Sequence, residues 1–372
     1  MNVIVTGGGT AGHVFPALAT ARSMRDRFGA SVTFIGAAGG QEATLVPAAG
    51  FTFVGLRVAA AQSRRPLQTL RAIALSLRGA RACRPAVRSA DVVISIGGFA
   101  SAPAVLAARR CRRPLVLIEP NTVPGVVNRI AARWASVVAT AFDGTAARLP
   151  TGTRVERTGN PIRAEIVAVV GARDRLRAEA RAAFDLHHDR TTVLVVGGSQ
   201  GALHIDEAIA AALPLLRDRG DLQLLVSTGP DHLDVVHAAI EVDAAVVVRA
   251  VPFIDRMDRA LAIADVAVSR AGAGVAELAA CGLPAILVPY PHATENHQEA
   301  NARELVAAGA AQLLLDADLS PSALAAAILS LVDAGERRRA MAVAARAWSR
   351  PDAADRIAAL AAELAGATDD VA

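Results

Sequence analysis

Two stretches decide the fold: NVIVTGGGTAGHVFPALATA, Asn2 to Ala21, and TTVLVVGGSQGALHIDEAIAAAL, Thr191 to Leu213. Each is a short apolar run, a glycine-rich turn and then a helix-compatible segment. A strand that passes directly into a helix gathers unpaired N–H groups and the positive end of a helix dipole at one point, which suits phosphate. Two such turns, heading two similar halves, predict a duplicated nucleotide fold with a ligand held between domains.

The rest of the chain fits two domains. At 372 residues it exceeds the size at which one core usually keeps growing. Hydrophobic residues make up 53% and mean hydropathy is +0.37. Even so, no uninterrupted apolar run reaches the roughly 18 residues that a membrane span needs. The N-terminus enters a strand at Val3 to Val5 without a basic region or cleavage site, so a cytoplasmic protein is expected. Cys83, Cys111 and Cys281 are scattered, lack metal or redox spacing, and read as small core fillers.

The net charge of +4 is carried entirely by arginine, since lysine is absent. Its placement says more than its sum. From Ala43 to Ala90 there is no acidic residue, while Arg57, Arg64, Arg65, Arg71, Arg78, Arg81, Arg84 and Arg88 all fall inside. Within that stretch Leu67, Leu70, Ile73, Ala74 and Leu77 recur at helical spacing. This is either a buried face with a solvated rim or an amphipathic surface for anionic lipid, and the missing acids favour lipid. Nothing points to nucleic acid.

Strands are expected at Val3 to Val5, Val32 to Ile35, Phe53 to Leu56, Val92 to Ile96, Leu115 to Ile118 and Val137 to Ala139. A second series follows at Val193 to Val196, Leu222 to Val226, Val246 to Val248, Val266 to Val268 and Ala285 to Val288. Helical segments separate them, giving parallel α/β halves. GNPIR, Gly159 to Arg163, interrupts the rhythm and sets the domain boundary. Pro351 precedes a last helix, Ala353 to Leu364.

Several single motifs have competing readings. Gly7, Gly9 and Gly12 satisfy the dinucleotide GxGxxG, but the second strand runs into Gly36, Ala37 and Ala38 where that fold places a ribose-binding acid. Gly197, Ser199 and Gly201 match the hydrolase GxSxG, with Asp265 and His297 following in permissible order. Asp316 and Asp318 form a DxD, read as helix capping before Ser320 and Pro321 rather than as a metal site. His13 is either a buried structural histidine or a neutral imidazole at a helix start, placed to accept a proton.

Taken together, GGGTAGHVFPALA, GGFASAP (Gly97 to Pro103), IEPN (Ile118 to Asn121), GNPIR, GGSQGA, SRAGAGVAEL (Ser269 to Leu278) and PHATENHQEANA (Pro291 to Ala302) resemble the MurG family of glycosyltransferases. The motifs occur in family order from Gly7 to Ala302. The resemblance implies a GT-B fold: two Rossmann-like, doubly wound α/β domains facing a cleft. Residues 1–160 would form the acceptor and membrane-docking domain and 161–348 the UDP-sugar domain, with 349–372 returning to the first.

It also implies an inverting enzyme that moves N-acetylglucosamine from UDP-N-acetylglucosamine to the C4 hydroxyl of the muramoyl-pentapeptide on undecaprenyl diphosphate. The enzyme would work peripherally at the cytoplasmic face of the cell membrane, against anionic lipid, with neither cofactor nor metal. Matching positions put Ser199 and Arg163 near the donor diphosphate, Ile254 on the uracil and Glu277 on the ribose. Thr10, Ala11, Gly12, Asn121, Gln298 and Asn301 approach the sugar. Gly8, Gly9, Gly97 and Gly98 form the acceptor-diphosphate loops, and His13, or alternatively Glu119, is the base. The remaining alternatives are another GT-B protein on a lipid acceptor, a UDP-sugar epimerase, a silent UDP-sugar binder and the GxSxG hydrolase.

Overall fold

The computed structural model describes residues 1–9, 11–59, 66–198 and 201–367. The chain divides into two compact units: Met1–Arg163 with the chain from Arg350 onward, and Ala164–Ser349.

In the first unit, β1 (Asn2–Thr6), β2 (Ser31–Ala37), β3 (Thr52–Leu56), β4 (Val92–Ser95), β5 (Leu115–Glu119), β6 (Val137–Thr140) and β7 (Val155–Arg157) form a parallel sheet ordered β3-β2-β1-β4-β5-β6-β7. β4, β5 and β6 are buried along their whole length, as expected of central strands covered on both faces. The helices are α1 (Ala11–Phe28), α2 (Glu42–Ala48), α3 (Pro66–Ser89), α4 (Ala102–Cys111) and α5 (Val126–Ala131). Val14, Ala17, Leu18, Ala21 and Met24 make the buried stripe of α1. The C-terminal helix, Ala353–Leu364, adds Ile357, Ala358 and Ala361 to the same core. Ser23 Oγ fixes its register by donating to Asp355 at 2.6 Å.

The second unit has β8 (Thr191–Val196), β9 (Leu222–Ser227), β10 (Val247–Val251), β11 (Val266–Ser269), β12 (Ala285–Leu287) and β13 (Ala311–Leu313), ordered β10-β9-β8-β11-β12-β13 and parallel throughout. β7 and β13, which sequence patterning misses, are three-residue edge strands and too short to show a period.

Each sheet winds outward in both directions from one pair of strands, β1 with β4 and β8 with β11. In such a sheet the loops leaving the carboxyl ends of that pair splay apart and open a crevice, the usual place for a ligand. The topology therefore sets the loop after β1 beside the loop after β4, and the loop after β8 beside the loop after β11.

Candidate active site

In the first unit the loops at the switch point are Gly7 to Gly9 and Gly97 to Gly98. They touch: a Cβ placed on Gly98 would lie 3.1 Å from the Gly8 carbonyl oxygen and 3.9 Å from the His13 ring. His13 is half-buried in the first turn of α1, facing this junction. Gly12, one residue earlier, is exposed. Thr10 lies outside the described residues, and so does the side chain of Ala11.

Glu42 alters the meaning of the first turn. Its buried carboxylate accepts from Gly9 N–H at 2.9 Å and from Ala37 N–H at 2.8 Å. An acid absent from the end of the second strand is thus supplied from α2, with its carboxylate turned inward on the glycine turn. The Gly9 N–H is thus occupied by a carboxylate oxygen. Gly97 N–H is likewise engaged, by Ser95 Oγ at 3.2 Å.

Glu119 ends β5 fully buried. One carboxylate oxygen accepts from the backbone and side-chain nitrogens of Asn121 at 3.1 and 3.4 Å, the other from Gly125 N–H at 3.0 Å and Asn128 Nδ2 at 2.9 Å. Burial pushes its carboxyl up to about 7, against the pull of these donors. Glu119 therefore shapes the loop that carries Asn121, and both its oxygens point into protein. Asn128, which sequence reading passed over, also floors the second loop: a Cβ on Gly97 would fall 2.9 Å from its Nδ2. Arg163 belongs to this unit, its guanidinium 4.9 Å from the ring centre of Phe15.

In the second unit, Ser199 lies outside the described residues, but its loop is fixed on either side. Gly201 has φ +74°, and a Cβ there would sit 1.8 Å from the Thr228 carbonyl oxygen, so only glycine lets this turn press against the end of β9. The helix Leu203–Leu216 begins just beyond and brings Asp206 under the turn. Asp206 accepts from Ala202 N–H at 3.3 Å, and His232 Nδ1 stands 3.1 Å from the same oxygen. Burial pushes this carboxyl up to about 6.

The neighbouring loop after β11 is held from the helix His297–Ala307. Asn301 Nδ2 donates to the Ala271 carbonyl of that loop at 3.0 Å, while Gln298 Oε1 accepts from Tyr290 N–H at 2.9 Å in the loop after β12. Asn301 is buried, so its amide props the loop from beneath. Glu277 lies half-buried on the helix Val275–Ala280, and Ile254 is buried after β10. Arg270 donates to the carbonyls of Val288 and Pro289 at 3.2 and 3.1 Å and to the Asp316 carboxylate.

The glycosyltransferase family 28 N-terminal domain matches residues 3–140, and the C-terminal domain of the same family matches residues 192–357. A curated UDP-N-acetylglucosamine–N-acetylmuramyl-(pentapeptide) pyrophosphoryl-undecaprenol N-acetylglucosamine transferase from Acidothermus cellulolyticus is 41% identical, the alignment covering 99% of both chains. The chain belongs to the MurG family. The crystal structure of Acinetobacter baumannii MurG superposes with a TM-score of 0.75 at 28% identity, over 97% of this chain and 99% of that one. A UDP-GlcNAc 2-epimerase from Neisseria meningitidis, bound to UDP-GlcNAc, has a TM-score of 0.69 over 96% and 98% of the two chains. At 14% identity it shares the GT-B fold alone.

Two expectations fall against this MurG-family structure. The hydrolase reading needs Asp265 near the GxSxG loop, but Asp265 N–H bonds the Thr192 carbonyl at the amino end of the sheet. The loop leaves the other end of β8, about 15 Å away at ~3.3 Å per strand residue. Asp265 is instead ion-paired with Arg177 at 2.9 Å. The DxD does not cap the next helix either. Ser320 does so, accepting from Ala323 N–H at 3.2 Å, while Asp316 bonds Arg270 and, at 2.8 Å, His204.

The basic segment is helix from Pro66 to Ser89. Its buried side is small, with Ala72, Ala80, Cys83 and Val87, while Leu67, Leu70 and Ile73 are 80%, 62% and 52% exposed. Arg71, Arg78 and Arg81 are exposed along the same helix. Arg64 and Arg65 lie outside the described residues. Among the described residues no helix is long and apolar enough to cross a membrane.

Proposed function

We propose that this chain is the peptidoglycan transferase that adds N-acetylglucosamine to the muramoyl-pentapeptide lipid. The observation that carries the reading is the 41% identity, end to end, to a curated transferase of that name. The two glycine-lined switch points fit it: one unit for a sugar nucleotide, the other for an acceptor.

In this reading the acceptor C4 hydroxyl attacks the anomeric carbon. Its proton passes to His13, the bond from that carbon to the diphosphate oxygen breaks, and UDP leaves with the charge. The N-terminal end of the helix Leu203–Leu216, the Ser199 loop and Arg163 take up that charge. Glu277 accepts from the ribose hydroxyls, the Ile254 backbone reads the uracil, and Gln298 and Asn301 set the loop over the sugar. Thr10, Ala11, Gly12 and Asn121 complete the contacts to the sugar. The acceptor diphosphate lies toward Gly8 and Gly98, where the chain enters the turn leading to α4. Glu119 positions Asn121 and leaves the proton to His13. The protein docks peripherally at the cytoplasmic face through α3, against anionic lipid.

The test is a transfer assay with UDP-N-acetylglucosamine and UDP-glucose, a muramoyl-lipid acceptor and chelator present. Product from the first donor alone is expected, and its absence would sink the proposal. With the active protein, His13→Ala should lower turnover by roughly 10²- to 10⁴-fold while changing donor affinity little. Near-normal turnover would remove His13 from the mechanism.

A further inference from the structure

Glu42 is a buried acid that no step of the proposed reaction uses, and the fold makes unusual room for it. Three glycines from three places close around its side chain. A Cβ on Gly8, in the turn after β1, would lie 2.1 Å from Glu42 Oε1. One on Gly36, within β2, would lie 2.8 Å from Cγ, and one on Gly40, just before α2, would lie 2.2 Å from Oε2. Gly36 and Gly40 have no positive φ to demand glycine, so the space taken by Glu42 is the reason a side chain is excluded there.

The carboxylate bridges two backbone segments, Ala37 N–H at the end of β2 and Gly9 N–H in the turn. The turn has few other ways to choose a conformation, since Gly7, Gly8 and Gly9 all have φ between +91° and +156°. Glycine is the residue least restrained in the unfolded chain and the most costly to fix. A charge-assisted bond at its last residue is what such a turn needs. From Gly9 the chain passes into α1 and reaches His13 four residues on, while Gly8 presents its carbonyl to Gly98.

We infer that Glu42 is a positioning residue for transfer: by pinning Gly9 to β2 it sets the turn that aims His13 and seats Gly98. This rests on the proposed reaction with His13 as its base. It assigns the first glycine turn a purpose different from that of its counterpart after β8. Both turns are held by a carboxylate, Glu42 on Gly9 and Asp206 on Ala202, but only the first leads to His13, which makes it a rigid mount for the base.

Glu42→Gln keeps the size of the side chain but turns an N–H₂ toward one of the two N–H donors. Gly40→Ala keeps the acid and pushes its Oε2 aside. Both are compared with the wild type by thermal melting, UDP binding and steady-state transfer, alone and in the His13→Ala background. A displacement of about 1 Å in a catalytic mount costs up to ~100-fold. We therefore expect each variant to lose about tenfold or more in kcat, with UDP affinity, to which neither Glu42 nor Gly40 contributes a group, within about twofold. In the His13→Ala background Glu42→Gln should cost nothing further, because residues acting through one group are not additive. A merely structural acid would give the same loss in both backgrounds, which would overturn the inference. So would kcat within twofold of wild type in both variants. Should Glu42→Gln fail to fold, Gly40→Ala decides the question by the same measurements. A wild type that transfers nothing overturns the reaction itself, whereas an active wild type with unaffected variants overturns only the role of Glu42.

Discussion

Two buried carboxyls, Glu119 and Asp206, hold their loops by accepting from backbone and side-chain donors, and burial raises both, to about 7 and about 6. In the unfolded chain they ionise near 4.5 and 3.8. Between those values and the folded ones the native state binds more protons, so stability is fully present below the unfolded values and is lost as pH rises through the folded ones. Urea unfolding should therefore show the protein less stable at pH 7 than at pH 4.5, Glu119 contributing on the order of 1 to 3 kcal/mol of the change. Glu119→Gln should lower stability overall yet flatten this slope, and an unchanged slope would assign the pH dependence elsewhere. The sequence marks Glu119 through IEPN but not its inward orientation, because which way a strand-end carboxylate turns depends on donors such as Asn128, nine residues on.

Among the elements, α3 departs furthest from an ordinary surface helix. Its apolar residues at Leu67, Leu70 and Ile73 face outward beside Arg71, and its packed side is made of smaller residues. Exposed apolar area flanked by one sign of charge suits an anionic lipid surface. Replacing Arg71, Arg78 and Arg81 by alanine should weaken binding to phosphatidylglycerol vesicles by roughly a hundredfold, at about 1 kcal/mol per basic residue. Binding equal to wild type would remove α3 from the docking face. The helical period was legible because Leu and Arg recur every three or four residues. Which side of that period is buried was not, because it depends on what α4 and the sheet already cover.

For the molecule as a whole, the chain's return matters most. The first unit takes its last core helix from the far end of the sequence, and Ile357, Ala358 and Ala361 are fully buried in it. Full burial of a side chain such as Ile357 contributes about 1.5 to 3 kcal/mol. Ending the chain at Ser349 should lower the melting temperature of the first unit by several degrees or more, as losses of this size do. It should leave the melting of the second unit nearly unchanged. Equal melting of the truncated and full chains would show that the helix is dispensable.

The sequence by itself determined the duplicated parallel α/β architecture, the break at GNPIR, the start of the last helix after Pro351 and the motif set that places the chain in the MurG family. These follow from short-range signals: strand runs buried on both faces, prolines and glycines with fixed local consequences, and motifs in order along the chain. Only the tertiary structure decided how the two glycine turns differ. It brings Glu42 back from α2 onto Gly9, sets Asp206 and His232 beneath the turn after β8, and sends Asp265 to the opposite end of the sheet. Those outcomes depend on strand order and on which donors surround a buried carboxylate, and no local pattern of residues carries that information.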